Sequence, residues 1–116
     1  MKDTLEEFQK FRSEMNDEIH ASDHLGLKRF FALDHQAYQD GALPGRTKEL
    51  LGLVASALLR CDDCITYHLV QCGEAGWKRE DVIDALNVAL VVGGSIVIPH
   101  LRRAFVRMRE IPNLES

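Results

Sequence analysis

The sequence has no excess of positive charge. It carries 14 Lys and Arg residues against 18 Asp and Glu residues, for a formal net charge of −4. A nucleic-acid-binding protein needs a basic surface to neutralise phosphates, so this balance argues against that class. The basic residues in segments 10–12 and 102–109 follow helical patterns with acidic residues nearby. We predict that they form solvated helix faces.

The sequence also lacks a long apolar run. Its longest apolar stretch, residues 88–99, is interrupted by Gly93, Gly94 and Ser95 and is too short to span a bilayer. The first residues are acidic and contain no apolar signal segment. We therefore expect a cytoplasmic protein with neither a membrane nor a nucleic acid among its partners.

Cysteine is scarce, and its number is odd. Three cysteines without an export signal argue against a structural disulfide framework. Two of them, Cys61 and Cys64, are only three positions apart. A close cysteine pair in such a chain is typical of redox or metal chemistry.

Strand signals are almost absent, because the one β-branched cluster, residues 96–98, is short and is followed by Pro99. Apolar residues at spacings of three and four instead predict an all-α fold of about six helices in a single domain, residues 1–116. Thr4 with Glu7 forms a capping box, and Thr47 is a candidate cap for the third helix. The predicted helices cover about residues 4–19, 27–39, 48–59, 62 or 63 to 73 or 76, 82–92, and a last segment ending near 109, with Pro99 in its first turn.

The third predicted helix is apolar almost all round, from Leu50 to Leu59. A helix of this kind is buried on every side, and a domain of this size can hardly cover it alone. We therefore predict that it forms part of a subunit interface. The alternative is a central core helix wrapped by the other helices of the same chain.

The candidate site begins at Cys61 and Cys64, at the predicted start of the fourth helix. A helix N-terminus favours anions and lowers the pKa of a thiol there, and the C-x-x-C spacing permits a disulfide. His68 follows Cys64 by four residues, one turn along the same face, from which an imidazole can take a thiol proton. Asp62 or Asp63 is the expected helix cap, and their charges oppose thiolate formation.

Other interpretations of this cluster stay open at the level of sequence. Two half-buried thiols and a surface histidine would carry no chemistry, and a structural zinc site would need a fourth ligand that no second cysteine pair supplies. Cys72, eight residues after Cys64, is expected to be a packed small hydrophobe, with a resolving role as the alternative.

Glu49 extends the pattern, because Glu49, Cys61, Cys64 and His68 together read E-x11-C-x2-C-x3-H. This spacing resembles the AhpD-like alkylhydroperoxidases of the carboxymuconolactone decarboxylase superfamily. The resemblance covers about residues 30–105. It also includes the apolar third helix, the stretch 76–85, and the small-residue break at 93–95 that precedes Pro99.

The resemblance implies that Cys61 and Cys64 cycle between dithiol and disulfide, with Glu49 and His68 as a proton relay. It implies a thiol-dependent peroxidase or disulfide oxidoreductase in antioxidant defence, with no cofactor and no metal. The substrate would be a hydroperoxide or another small molecule, and a protein that undergoes thiol/disulfide exchange would be the electron donor. The family fold is all-helical, and its members assemble as trimers or hexamers.

Two features limit the comparison. A chain reversal near Arg60 is needed to bring Glu49 to His68; without it, Glu49 would only complement the helix dipole. Asp63 stands where well-studied members of the family carry a second histidine. Members that decarboxylate a lactone generally lack the cysteine pair, so its presence here speaks against that reaction. Two alternatives stay open: a non-redox acid–base enzyme or lyase that uses Glu49 and His68 on a small organic acid, and a non-catalytic module.

Overall fold

The computed structural model describes all 116 residues and contains only helices and connecting turns. The prediction of an all-α fold with six helices is confirmed. The chain divides into two compact units, residues 1–40 and 41–116. No helix combines the length and apolar character needed to cross a bilayer. The helices are α1 (Leu5–Ala21), α2 (Leu25–Ala37), α3 (Gly45–Leu58), α4 (Asp62–Glu74), α5 (Arg79–Gly93) and α6 (Ile98–Met108), with a 3-10 turn at Ser95–Val97.

The unit 1–40 consists of α1 and α2. The predicted capping box of α1 is confirmed: Thr4 Oγ1 accepts a hydrogen bond from the Glu7 N–H at 3.1 Å, and the Glu7 carboxylate accepts one from the Thr4 N–H. Helix α2 begins two residues earlier than predicted, because the His24 ring Nδ1 accepts a hydrogen bond from the Leu27 N–H. It also ends earlier, at Ala37.

The unit 41–116 holds the cysteine pair, and its core is built where α3 packs on α4 and α5 and where α4 packs on α6. The chain beyond α6 returns to α4, where the Asn113 side-chain amide donates to the carbonyl oxygen of Gly73 at 2.9 Å. Helix α4 is therefore held against α3, α6 and the segment that follows α6. The fully buried side chains of the unit 41–116 include Leu53, Leu69, Cys72, Val82, Leu86, Val97, Arg107, Met108 and Leu114.

Two helices of this unit start earlier than the side-chain pattern predicted. Helix α3 begins at Gly45, because the carbonyl oxygen of Pro44 already accepts from the Thr47 and Lys48 N–H groups. The prediction that Thr47 caps this helix is therefore wrong. Helix α5 begins at Arg79, three residues before the predicted start, while the placement of Pro99 in the first turn of α6 is confirmed.

Helix α3 is not wrapped by the rest of its chain. Its inner face buries Leu53, Ser56 and Ala57, but Leu51 remains 52% exposed and the following Leu59 78% exposed. The alternative of a core helix covered on every side within one chain is therefore wrong. An open groove of about 410 Å³ runs between α3 and α5, and its lining is apolar: Leu50, Leu51, Val54, Ala55, Leu58, Ala85 and Val88.

The basic segment 102–109 is only partly a solvated face. Arg102 and Arg109 are exposed as expected, but Arg107 is 2% exposed and its Nε donates to Thr66 Oγ1 on α4 at 3.1 Å. For Arg107 the prediction is wrong. The helical pattern did not reveal a hydroxyl on another helix that satisfies the guanidinium inside the core.

Candidate functional site

The cysteine pair lies at the first turn of α4 and is joined as a disulfide, with 5.3 Å between the two Cα atoms. The chain reverses at Arg60, which adopts the left-handed backbone conformation with φ 57°. Cys61 is the residue that caps the helix, since its sulfur accepts a hydrogen bond from the Cys64 N–H at 3.3 Å. The prediction that Asp62 or Asp63 caps α4 is therefore wrong. In the reduced protein, the same N–H would stabilise a thiolate on Cys61.

The reversal at Arg60 brings α3 and α4 together, and with them Glu49 and His68. The Glu49 Oε2 atom lies 2.9 Å from His68 Nδ1, and the two side chains are only 12% and 10% exposed. His68 is thus a buried residue, which contradicts the interpretation of a surface histidine. An imidazole bonded in this way to a carboxylate has a fixed orientation.

Gly52 allows this pair to form. A Cβ atom at Gly52 would lie 2.6 Å from Cε1 of the His68 ring and 2.9 Å from both ring nitrogens. The ring therefore rests directly on the backbone of α3. Ser56, one turn further along, donates its hydroxyl to the Gly52 carbonyl oxygen at 2.6 Å. The sequence contains a sign of this contact, a glycine within an apolar helix, but its meaning depends on the packing of α4.

A second histidine–carboxylate pair joins the first turn of α4 to α6. Asp62 Oδ1 is 2.8 Å from His100 Nδ1, and Asp62 Oδ2 accepts a hydrogen bond from Arg103 at 3.1 Å. Both oxygens of the carboxylate are used, and both partners come from α6. We call Asp62, His100 and Arg103 the α6 clamp. Sequence reasoning missed it, because the partners lie 38 and 41 residues from Asp62 with no shared motif.

Asp63 differs from its neighbour. It is exposed, and neither a hydrogen bond nor an ion pair joins it to another residue. By the resemblance described above, well-studied family members carry a second histidine at the position of Asp63. The carboxylate of Asp63 is therefore solvated, whereas that of Asp62 is bound by two side chains. Of the two charges expected to oppose thiolate formation, one is compensated locally.

Cys72 lies on the buried part of α4 and is completely inaccessible to solvent. Burial, with a contribution from the Glu49 carboxylate, raises the pKa of the Cys72 thiol from 9.0 to about 12. The prediction that Cys72 is a packed residue is confirmed. A thiol in this environment is protonated at neutral pH and is a poor nucleophile.

The His, Cys, Asp and Glu side chains of the site that could bind a metal ion contact one another in pairs. Glu49 is bonded to His68, Asp62 to His100, and Cys61 to Cys64. No group of three or more His, Cys, Asp or Glu side chains converges in the geometry that a metal ion requires. The arrangement places a disulfide at a helix N-terminus, with a carboxylate–imidazole pair one helical turn along the same helix.

The fold and this geometry agree with the comparison to known families. The model of the carboxymuconolactone decarboxylase family matches residues 25–107, and the chain belongs to this family. The match covers both the α3–α4 reversal and the α6 clamp.

Similar proteins support the same assignment. A carboxymuconolactone decarboxylase family protein from Thermotoga maritima, described as possibly involved in antioxidative response, is 54% identical. The alignment covers 90% of this chain and 88% of that one, with a TM-score of 0.85. A family member from Legionella pneumophila shares the fold at 21% identity, with a TM-score of 0.84 over 97% of both chains. The uncharacterized protein 4 in the cox locus of Paracoccus denitrificans is 29% identical over 82 residues, 71% of this chain and 74% of its own length.

Proposed function

We propose that the protein is a cytoplasmic thiol-dependent peroxidase, in which Cys61 and Cys64 are the redox pair and Glu49 and His68 the proton relay. The observation that carries this proposal is the 2.9 Å contact between Glu49 and His68, on a helix that begins at the disulfide. The description of the Thermotoga maritima relative as possibly involved in antioxidative response supports a role in peroxide defence.

Cys64 is the proposed attacking thiol. It is exposed, and it lies one helical turn before His68, the residue that can accept its proton. Cys61 is the proposed resolving thiol, because its sulfur already accepts the Cys64 N–H and is favoured as an anion there. Asp63 is solvated and unpaired, so the proposed relay consists of Glu49 and His68 alone.

The reaction consumes one hydroperoxide and one dithiol. His68 takes the Cys64 proton, and the thiolate attacks the terminal peroxide oxygen. The O–O bond breaks, Cys64 becomes a sulfenic acid, and the alkoxide leaves as an alcohol with the proton from His68. Cys61 then attacks the sulfenic sulfur, forms the disulfide and releases water. A donor dithiol reduces the disulfide by exchange and is itself oxidised to a disulfide.

The test compares three single cysteine replacements in the full chain, with dithiothreitol as donor and cumene hydroperoxide as oxidant. Cys64→Ser should abolish turnover. Cys61→Ser, reduced and then oxidised after the dithiothreitol has been removed, should undergo one oxidation and leave a sulfenic acid on Cys64 that dimedone traps. Cys72→Ser is the matched control and should retain turnover, since that thiol is buried and protonated.

Two outcomes would overturn this proposal. Turnover that survives in both Cys61→Ser and Cys64→Ser would show that the disulfide is not part of the reaction. Activity on a small organic acid that is unaffected by iodoacetamide treatment of the reduced protein would instead favour an acid–base enzyme. The same pair, Glu49 and His68, would then act without the cysteines.

We further propose that the protein is a homo-oligomer, a trimer or hexamer, in which the groove between α3 and α5 faces another copy. Large apolar side chains are exposed around it, among them Leu51, Val88 and Val91. A contiguous apolar surface of this kind is typical of an interface. Val91→Glu should reduce the mass measured by light scattering to that of a smaller species, whereas Arg102→Glu, an exposed charge on α6, should not.

A further inference from the structure

The two aspartates between the cysteines are in different electrostatic environments. Asp62 directly follows Cys61, and its carboxylate contacts His100 at 2.8 Å and Arg103 at 3.1 Å. Asp63, the next residue, is exposed and unpaired. The α6 clamp therefore supplies positive and polar groups to one of these charges only, at the end of α4 where the disulfide lies.

A carboxylate beside a thiol opposes ionisation of that thiol, and a cation favours it. Asp62 is the nearest acidic residue to Cys61 along the chain, so its charge would act on the sulfur that caps α4. Arg103 offsets this charge as a cation, and His100 contacts the same carboxylate. Glu49 on α3, a further acidic group of the site, is bonded to His68.

We propose that His100 and Arg103 are positioning residues that, through Asp62, set the redox equilibrium of the Cys61–Cys64 couple. The inference rests on the proposed function, in which this couple cycles. Reduction of the disulfide by a dithiol transfers two electrons and forms two thiols, one of which loses its proton where a thiolate is favoured. By compensating Asp62, the clamp favours the thiolate and hence the reduced form, which makes the couple more oxidising.

The prediction has opposite signs for the two halves of the clamp. Arg103→Gln removes a positive charge and should shift the equilibrium with dithiothreitol toward the disulfide, by about threefold to tenfold at pH 8. Asp62→Asn removes the negative charge and should shift it toward the dithiol. The double variant Asp62→Asn with Arg103→Gln should return to within about twofold of the unmodified protein.

The experiment equilibrates the full-length protein with mixtures of reduced and oxidised dithiothreitol, traps thiols by alkylation, and measures both forms by mass. Arg102→Gln is the matched control, because Arg102 is exposed on the same helix and has no bond to Asp62. It should move the equilibrium by less than about twofold. Arg103→Lys keeps the charge and should behave like the control, as a test of charge against shape.

A purely structural clamp predicts a different pattern. Asp62→Asn and Arg103→Gln would then shift the equilibrium in the same direction, and the double variant would show no recovery. Either result overturns the inference. So does a shift of the dithiothreitol equilibrium in Arg103→Gln that is no larger than the shift in Arg102→Gln. If Cys61 and Cys64 do not form a disulfide in oxidised dithiothreitol, the proposed function itself fails. That outcome is visible in the unmodified protein before any variant is measured.

Discussion

Two histidine–carboxylate pairs contain a residue of α4, the helix that begins at the disulfide, and they differ in their surroundings. Glu49 and His68 are 12% and 10% exposed, joining α3 to α4, whereas Asp62 and His100 are 31% and 15% exposed, joining α4 to α6. The contact distances are nearly equal, at 2.9 and 2.8 Å. The difference is that the first pair is closed by the backbone of Gly52, while the second includes Arg103 and reaches solvent.

This comparison separates two tasks that the same residue types can perform. A buried carboxylate fixes the orientation of an imidazole and favours its role in proton transfer. A carboxylate shared with an exposed arginine is largely neutralised, and its contacts are screened by water. The difference supports our proposals of proton transfer for the Glu49–His68 pair and charge compensation for the α6 clamp.

The largest expected difference between the pairs is in turnover. Glu49→Gln and His68→Gln should each lower kcat/KM for cumene hydroperoxide by about 100-fold or more, because proton transfer by a positioned group contributes at that level. His100→Gln should lower it by less than about tenfold, because His100 contacts the Asp62 carboxylate and is not part of the proposed proton relay. Steady-state assays with dithiothreitol measure both. Equal losses in the two pairs would remove the functional distinction between them.

Gly52 provides a test of the enclosure of the buried pair. Gly52→Ala places a Cβ atom 2.6 Å from the His68 ring, so that the ring or the helix must move. Overpacking of this kind should lower the free energy of unfolding by about 1 to 3 kcal/mol, measured by urea titration. His68→Ala combined with Gly52→Ala relieves the clash, so the double variant should lose less stability than the sum of the two single variants. If the stability losses of the two single variants simply added up in the double variant, the Gly52 backbone and the His68 ring would not be in tight contact.

Cys72 lies on the buried side of the same helix and makes the protein sensitive to alkali. Its folded-state pKa of about 12 exceeds the ordinary value of 9.0, so the folded protein holds the thiol proton more tightly than the unfolded chain does. This contribution to stability is complete below pH 9 and is lost as pH rises toward 12. With the disulfide intact, Cys72 is the one thiol left to titrate.

The measurement is the free energy of unfolding at pH 8 and pH 10, in the unmodified protein and in Cys72→Ala. The unmodified protein should lose about 1 kcal/mol more than the variant between these values. Cys72→Ala itself should cost about 1 kcal/mol at pH 8, because the sulfur leaves a small cavity. Identical alkaline losses in both proteins would mean that the Cys72 thiol ionises equally well in the folded and the unfolded state.

The sequence predicted the buried pair but not the exposed one, for a physical reason. Glu49 and His68 lie on successive helices joined by one reversal, and their spacing from the cysteines is a recognisable family pattern. Asp62 and His100 meet only because α6 packs on α4, and nothing in the spacing determines that register. The cap of α4 was assigned to Asp62 or Asp63, but both lie inside the helix, and the Cys61 sulfur takes the capping position.

The number of helices was predicted more accurately than their boundaries. Apolar spacing identified the first two helices, an apolar run the third, and caps, glycine breaks and Pro99 the later ones. The starts of α3 and α5 depend on backbone carbonyls of Pro44 and Lys78, which any residue can supply. Arg107 was misjudged because its partner, Thr66, lies on another helix.

The smallest expected effect concerns the stability that the α6 clamp provides. Asp62→Asn should lower the free energy of unfolding by no more than about 1 kcal/mol, because a partly exposed ion pair contributes little. Asp63→Asn is the matched control at the next position, and its carboxylate has no partner to lose. The excess cost of Asp62→Asn over Asp63→Asn should shrink between 0.05 and about 1 M salt, since screening weakens exposed pairs. A large, salt-independent cost would mean that the clamp holds α6 to α4 as a structural element, and its role in the redox equilibrium would then have to be separated from its role in packing.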